Sequence, residues 1–215
     1  MNSTAPLIRR QVLDVARERV ATSPVLLLQG PRSVGKSTVL RSLAQTLPGP
    51  IIDLDDPVVA ADANANPSAF LPSSSRIYLD EYQRSPALLD AIKARLNTNS
   101  DPGQFILAGS TGYDALPAGV QALTGRIHRL PVYPLAQSEI DGTPGGLLAA
   151  LFEDPRTAAT SPLATGDRAD YMRRISIGGF PLALRAWTPA ARGRWFANYI
   201  EQTIRRDVPA VEAIR

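Results

Sequence analysis

The 215-residue chain contains no cysteine, which excludes disulfides, zinc ribbons and thiol nucleophiles. It has a single histidine, His128, too few for a histidine metal site or a histidine pair. In Arg126-Ile127-His128-Arg129-Leu130 it reads as a strand residue facing water. Lysine is nearly missing: Lys36 and Lys93 are the only two among 23 basic residues. With alanine abundant, that bias toward arginine reflects genome composition rather than function. No apolar run approaches the ~20 residues needed to span a bilayer. Arg9 and Arg10 stand near the start, but an amphipathic pattern follows them rather than a signal-peptide core. The expectation is a soluble, cytoplasmic protein with no membrane partner.

What remains is ample for a core. The chain is 44% hydrophobic, and its length suits one generous domain or one domain with a small appendage. The net charge of +3 is unevenly spread. Residues 168–215 carry nine arginines against four acids. That basic segment is either a candidate contact for nucleic acid or an acidic protein client, or a solvated helical surface.

The most informative stretch is Val25-Leu26-Leu27-Leu28-Gln29 followed by Gly30-Pro31-Arg32-Ser33-Val34-Gly35-Lys36-Ser37-Thr38. Gly30 to Ser37 fits G-x-x-x-x-G-K-[ST] at every fixed position, with a strand pattern before it and a helix pattern after it. A nucleoside triphosphate presents a dense cluster of anionic oxygens. Glycines let backbone N–H groups curl around them, and the helix opening at Gly35 aims its positive end at the same place. Lys36 would reach the β- and γ-phosphates, and the Ser37 hydroxyl would ligate Mg²⁺.

Along the chain, residues 5–21 carry a helical pattern beside the first strand, Val25–Gln29. A helix over Ser37–Thr46 follows the loop. Further strands are expected at Pro50–Leu54, Arg76–Leu79, Gln104–Ala108 and Arg126–Val132. Helices are expected at Pro86–Leu96 and ending near Val120–Leu123. Five short apolar strands alternating with helices give an α/β fold: a five-stranded parallel sheet sandwiched by helices. Residues 1–141 form that core. Residues 142–167 read as a linker with one short helix at Gly146–Phe152. Residues 168–215 form a helical lid, with segments Tyr171–Ile177, Leu182–Trp187 and Ala190–Val208.

Hydrolysis needs a second site across the sheet, and ligands of open parallel sheets sit beyond the strands' carboxyl ends. The third strand ends in Asp80-Glu81. Asp80 is assigned to the metal and Glu81 to the attacking water. Ser110 ends the fourth strand, where it could sense the γ-phosphate. Asp56, before Pro57, is weighted toward a helix start rather than chemistry.

These residues resemble the AAA+ ATPases. Gly30–Ser37 is similar to their Walker A loop, Ile77–Glu81 to their Walker B strand, and Ser110 stands where sensor one would be. The resemblance extends to one prokaryotic AAA-type group through Asp80-Glu81-Tyr82-Gln83-Arg84, Gly109-Ser110, Gly125-Arg126-Ile127, Pro134-Leu135-Ala136-Gln137-Ser138-Glu139 and Gly178-Gly179-Phe180-Pro181. It implies an ATPase core with a helical lid, and ATP and Mg²⁺ as ligands. Long members of that group continue into a C-terminal domain of uncharacterised function, which would start just after Val208. The resemblance also implies that Arg126 reaches a neighbouring subunit's ATP in a homo-oligomer; a strand-edge arginine that pairs locally is the alternative. Many AAA+ lids place an arginine where Leu182 stands here, and Arg185 is a poor substitute. Gln83 and Arg84 either couple the γ-phosphate to a partner surface or serve as first-turn helix residues.

Three functions compete. The leading one is Mg-dependent ATP hydrolysis that moves the lid or a partner module. The second is a nucleotide-gated binding or regulatory module, toxin–antitoxin-like or otherwise, that docks DNA or protein and hydrolyses slowly or not at all. The third is a small-molecule kinase, disfavoured because the lid follows five strands. A GTPase lacks its N-K-x-D segment here.

Overall fold

Val25–Gln29 is buried at all five positions and forms β1. A strand apolar at consecutive positions must be covered on both faces, and the computed structural model has that arrangement. It describes residues 7–72, 76–110, 120, 123–143, 147–160, 166–186 and 188–212. The other strands are β2 (Ile51–Asp53), β3 (Ile77–Asp80), β4 (Phe105–Gly109) and β5 (Ile127–Pro131). They form one sheet in the order β2-β3-β4-β1-β5, and every pairing is parallel. The expected five-stranded α/β core is present, each strand within two residues of its expected ends. His128 is half-buried on the edge strand β5.

Successive side chains of a strand point to opposite faces. Val25, Leu27, Ile77, Leu79, Phe105 and Leu107 share one face with Leu88, Leu89, Ile92 and Leu96 of helix α4 (Pro86–Thr98) and Ala60 and Ala63 of α3 (Pro57–Ala65). Each of the four α4 side chains contributes roughly 1.5–3 kcal/mol by leaving water. Helices α1 (Val12–Val20) and α2 (Lys36–Thr46) pack together and touch β1, and α2 also touches β3 and β4. Asp56 accepts from the Val58 and Val59 N–H groups, so it caps α3 as expected.

The described residues fall into two compact units. One holds Val12–Tyr133 and Asn198 onward; the other holds Pro134–Ala197 and the residues before Val12. These limits differ from the 141/142 and 167/168 boundaries read from sequence. The second unit contains short helices α5 (Gln137–Ile140), α6 (Leu147–Glu153), α7 (Pro155–Thr160), α8 (Arg168–Ile177) and α9 (Pro181–Leu184). The 24-residue helix α10 (Pro189–Glu212) gives its first residues to this unit and its remainder to the other. The supposed linker therefore holds two helices rather than one, and α9 stops three residues short of the expected Trp187, which lies outside the described residues. The helix expected to end at Val120–Leu123 also lies largely outside them.

One expected helix is corrected. Of the described residues in the pattern over 5–21, those before Val12 are not helical, and the helix runs Val12–Val20. Glu139 explains the late start: its Oε1 accepts from Arg10 Nε at 3.2 Å and from the Gln11 N–H at 2.7 Å. Its Oε2 accepts from the Ala136 N–H at 2.9 Å, closing the start of α5. The side chains of Arg10 and Glu139 are only 8% and 5% exposed. Arg10 and Gln11 thus spend polar groups on Glu139 of their own unit instead of on a helical turn. Phe180, Trp195 and Phe196 form that unit's aromatic cluster, with centroids 5.0–6.4 Å apart.

Candidate functional site

The loop begins where β1 ends. Gln29 is 2% exposed, and its carbonyl accepts from the Val132 N–H at 2.7 Å. A Cβ on Gly30 would lie 2.2 Å from the Val132 carbonyl oxygen, so only glycine passes between the loop and the exit of β5. Val34 is fully buried and anchors the middle of the loop. Ser33 (φ 62°) and Gly35 (φ 97°) are both left-handed and curve the chain into α2. Gly35 is the N-cap of α2, no side chain caps it, and no acid stands in the first turn. The first-turn N–H groups are therefore left to an anion.

Lys36 is 6% exposed. Its Nζ donates to the carbonyls of Gly30 at 2.9 Å and Pro31 at 2.8 Å. Burial pushes its pKa down from 10.5 to about 8; the Glu81 and Asp80 charges oppose that shift and the Arg32 charge adds to it. An ammonium held dry beside loop carbonyls is poised for a triphosphate.

Across the loop, Asp80 ends β3 and is 4% exposed. Burial pushes its carboxyl above the ordinary range, a hydrogen bond from Ser37 opposes this, and the charges of Glu81 and Asp53 reinforce it. Asp53 is there because it pairs with Asp80 in the β2–β3 register. Ser37 in the first turn of α2 and Asp80 at the end of β3 each offer a hard oxygen donor. Among the described residues no cluster of three or more metal-ligating side chains occurs. Hard oxygen donors are the type that Mg²⁺ takes, one or two from protein and the rest from phosphates and water.

Glu81 lies one residue past β3 in a left-handed conformation (φ 52°, ψ 44°). Its Oε2 accepts from Gln83 Nε2 and from Ser110 Oγ, the latter at 3.4 Å. Ser110 directly follows β4. The fold thus brings Gly30 to Thr38, Asp80, Glu81 and Ser110 to one sheet edge. Arg126 stands apart from them. It precedes β5 at the opposite edge, where its carbonyl accepts from the Val25 N–H and its Nη1 donates to Asn97 Oδ1 at 2.7 Å. Pro131, level with Gln29, is five residues further along, roughly 16 Å at ~3.3 Å per residue.

The AAA domain family matches this chain over residues 22–141, more than half its length. The chain belongs to that family. It is thereby one of a nucleotide-binding ATPase family, and Gly30–Thr38, Asp80, Glu81 and Ser110 all lie within the matched segment. Residues 168–215 match a second family, a domain of unknown function (DUF8612). Two curated relatives, uncharacterized protein Rv2008c of Mycobacterium tuberculosis and uncharacterized protein Mb2031c of Mycobacterium bovis, are each 28% identical over 132 residues. The match spans 61% of this chain and 30% of each relative's length. Among solved structures, the Walker-type ATPase PABY2304 of Pyrococcus abyssi superposes with a TM-score of 0.52 at 16% identity. That superposition covers 96% of this chain and 76% of the other, and shows a shared fold.

Outside the AAA segment, Leu182 and Arg185 are exposed in the second unit. Several arginines of the basic segment are already engaged. Arg174 pairs with Asp141 and Asp170, Arg173 with Asp170, and Arg205 with Glu201. No helix of the described residues is long and apolar enough to cross a membrane. Sequence reasoning missed the Val132 brace on Gly30, the placing of Asp53 beside Asp80, and the bond from the Tyr199 hydroxyl to the Arg32 carbonyl at 3.3 Å. Each is a contact distant in sequence. Only the β2–β3 pairing had a signal, in the matched polar ends of the two strands.

Proposed function

We propose that the protein binds ATP with Mg²⁺ at Gly30–Thr38 and hydrolyses it, and that nucleotide state moves the lid or a partner module. The observation that carries this is a buried Lys36 with its Nζ on the Gly30 and Pro31 carbonyls, at the same end of the sheet as the buried Asp80. The helix N-terminus and Lys36 hold the triphosphate. Ser37 and Asp80 would hold the metal, which would supply charge neutralisation of the triphosphate. Glu81 orients a water on the γ-phosphorus and accepts its proton as the new P–O bond forms and the β–γ bridging bond breaks, giving ADP and phosphate. Ser110, bonded to the same carboxylate, helps fix it. Tyr199 supports a coupling role, because it ties helix α10 to the loop backbone at Arg32. Arg126 lies at the sheet end away from its own loop, so a part in hydrolysis would be played in a second copy's site; its bond to Asn97 favours the alternative of local pairing.

Steady-state phosphate release and calorimetry of ATP with Mg²⁺ test the reading. Lys36→Ala abolishes tight binding. Glu81→Gln keeps binding and loses at least about 100-fold in turnover, in the range for removing a general base. A rate per subunit that rises with protein concentration, and is lost in Arg126→Ala, supports the shared site. Equal turnover by Glu81→Gln and the parent protein ends the role given to Glu81.

One observation favours the second reading, a nucleotide-gated binding module with slow hydrolysis. The Glu81 carboxylate already accepts two bonds from its own chain. Tight ATP binding without measurable phosphate release, with or without DNA, selects it.

A further inference from the structure

Glu81 is followed by a single 3-10 turn, Tyr82–Arg84. The turn folds Gln83 back so that its amide nitrogen reaches Glu81 Oε2. A carboxylate only accepts, so the nitrogen end of the amide must face it. The other end, Gln83 Oε1, is buried and accepts no hydrogen bond among the described residues. A buried acceptor without a donor is unfavourable, so the amide is held there by something else.

Gly109 is that reason on the steric side. A Cβ on Gly109 would lie 2.5 Å from Gln83 Oε1 and 2.4 Å from Tyr82 Cε1. The missing side chain at the end of β4 is the space the amide and the Tyr82 ring occupy. Tyr82 is 1% exposed. The turn is pinned at its far end as well. Arg84 pairs with Asp55 at 2.5 Å, its carbonyl accepts from Asn64 Nδ2 at 3.2 Å, and Ser85 Oγ donates to Asn64 Oδ1 at 3.1 Å.

We propose that Gln83 is a positioning residue for hydrolysis: seated over Gly109, its amide fixes the Glu81 carboxylate in place beside Ser110. This rests on the ATPase reading above. Glu81 is in a left-handed backbone conformation, uncommon for a residue with a side chain, and without the amide its carboxylate would keep only the long Ser110 bond at 3.4 Å. Holding it costs nothing at the moment of reaction, and a misplacement of about 1 Å is worth up to ~100-fold in rate.

Two measurements test the proposal, and one needs no turnover. In the nucleotide-free protein, the Gln83 side-chain amide resonance, assigned by its loss in Gln83→Leu, is shifted downfield by its bond to the carboxylate. It returns upfield in Glu81→Ala. In single-turnover hydrolysis, Gln83→Leu lowers the rate about 10- to 100-fold, while the ATP dissociation constant stays within about threefold. Gln83→Glu has the same shape but no donor, and shows the same loss; it carries the test if Gln83→Leu fails to fold. Adding Gln83→Leu to Glu81→Gln slows hydrolysis no further, because both act through one carboxylate. The proposal is overturned if the parent protein hydrolyses ATP and Gln83→Glu matches it within about twofold. It is equally overturned if the amide resonance ignores Glu81→Ala. A parent protein that does not hydrolyse ATP overturns the function proposed above, and the resonance still decides the clamp.

Discussion

Lys36 loses its proton near pH 8 in the nucleotide-free protein because it is buried. Only the charged form attracts a triphosphate. Below about pH 8 the ammonium is already formed and affinity is flat with pH. Above it, each binding event must first return a proton to Lys36. The ATP dissociation constant therefore weakens from about pH 8 upward, with a slope approaching tenfold per pH unit. At pH 8 about half of the lysines are neutral, so binding takes up about half a proton. Calorimetry in two buffers of different ionisation heat reads this uptake directly. In Lys36→Arg the guanidinium stays charged, so whatever affinity remains is flat across the same range. An affinity unchanged to pH 9.5, with no dependence on buffer heat, refutes the burial argument.

The same shift has a stability consequence of defined sign. The unfolded chain keeps its proton on Lys36 up to about 10.5, and the folded chain gives it up at about 8. Between those values the unfolded state binds more protons, so stability rises with pH. The total gain is on the order of 3 kcal/mol. Lys36→Met removes it, so denaturant titrations of the two proteins converge as pH rises from 8 to 10.5.

Asp80 works in the opposite sense. Its carboxyl is raised chiefly by burial, so the folded state holds the proton to higher pH than the unfolded chain, and ionisation lowers stability as pH rises through that window. Asp80→Asn, which keeps an acceptor for Ser37, therefore melts higher than the parent protein at neutral pH without nucleotide. It also loses at least about tenfold of the gain in ATP affinity that Mg²⁺ provides, about 1.4 kcal/mol; an undiminished gain removes Asp80 from the metal site. Glu139→Ala removes the buried Arg10 ion pair together with the bonds from the Gln11 and Ala136 N–H groups, and costs roughly 3–5 kcal/mol. A loss below about 1 kcal/mol by thermal or denaturant unfolding contradicts the role given to that pair.

The sheet was legible because its evidence is local. Four apolar residues before Gln29, the G-x-x-x-x-G-K-S spacing and the polar strand ends each sit within a few residues of the feature they specify. Asp56 before Pro57 was read as a helix start for the same reason. Residues 7–11 were misread because their fate is decided by Glu139, more than 120 positions away. The periodicity of Leu7, Ile8 and Val12 gives no hint of that competition. The unit boundaries escaped similarly: a helix pattern is continuous through α10, and nothing local marks where it leaves one unit for the other. Gln83 was visible as a residue but not as a clamp, because its partner space is made by Gly109.

The motifs of the resemblance therefore divide by physical task. Gly30–Thr38, Asp80-Glu81 and Ser110 gather around one sheet edge and carry charge or hydrogen-bonding groups suited to phosphate and metal. Pro134–Glu139 and Gly178–Pro181 turn their groups on their own unit: Glu139 binds Arg10 and the Gln11 and Ala136 N–H groups, and the two segments pack on each other. A Cβ on Gly179 would lie 2.2 Å from the Leu135 carbonyl oxygen, and the Leu135 N–H donates to the Gly179 carbonyl at 2.8 Å. Gly125-Arg126-Ile127 belongs to neither group. All five strands run parallel, so the residue before a strand lies at the edge away from the phosphates, whatever its side chain. An arginine at that position is out of reach of its own loop. If Arg126 contributes charge to hydrolysis, it does so in the site of another copy, and turnover per subunit must then depend on concentration.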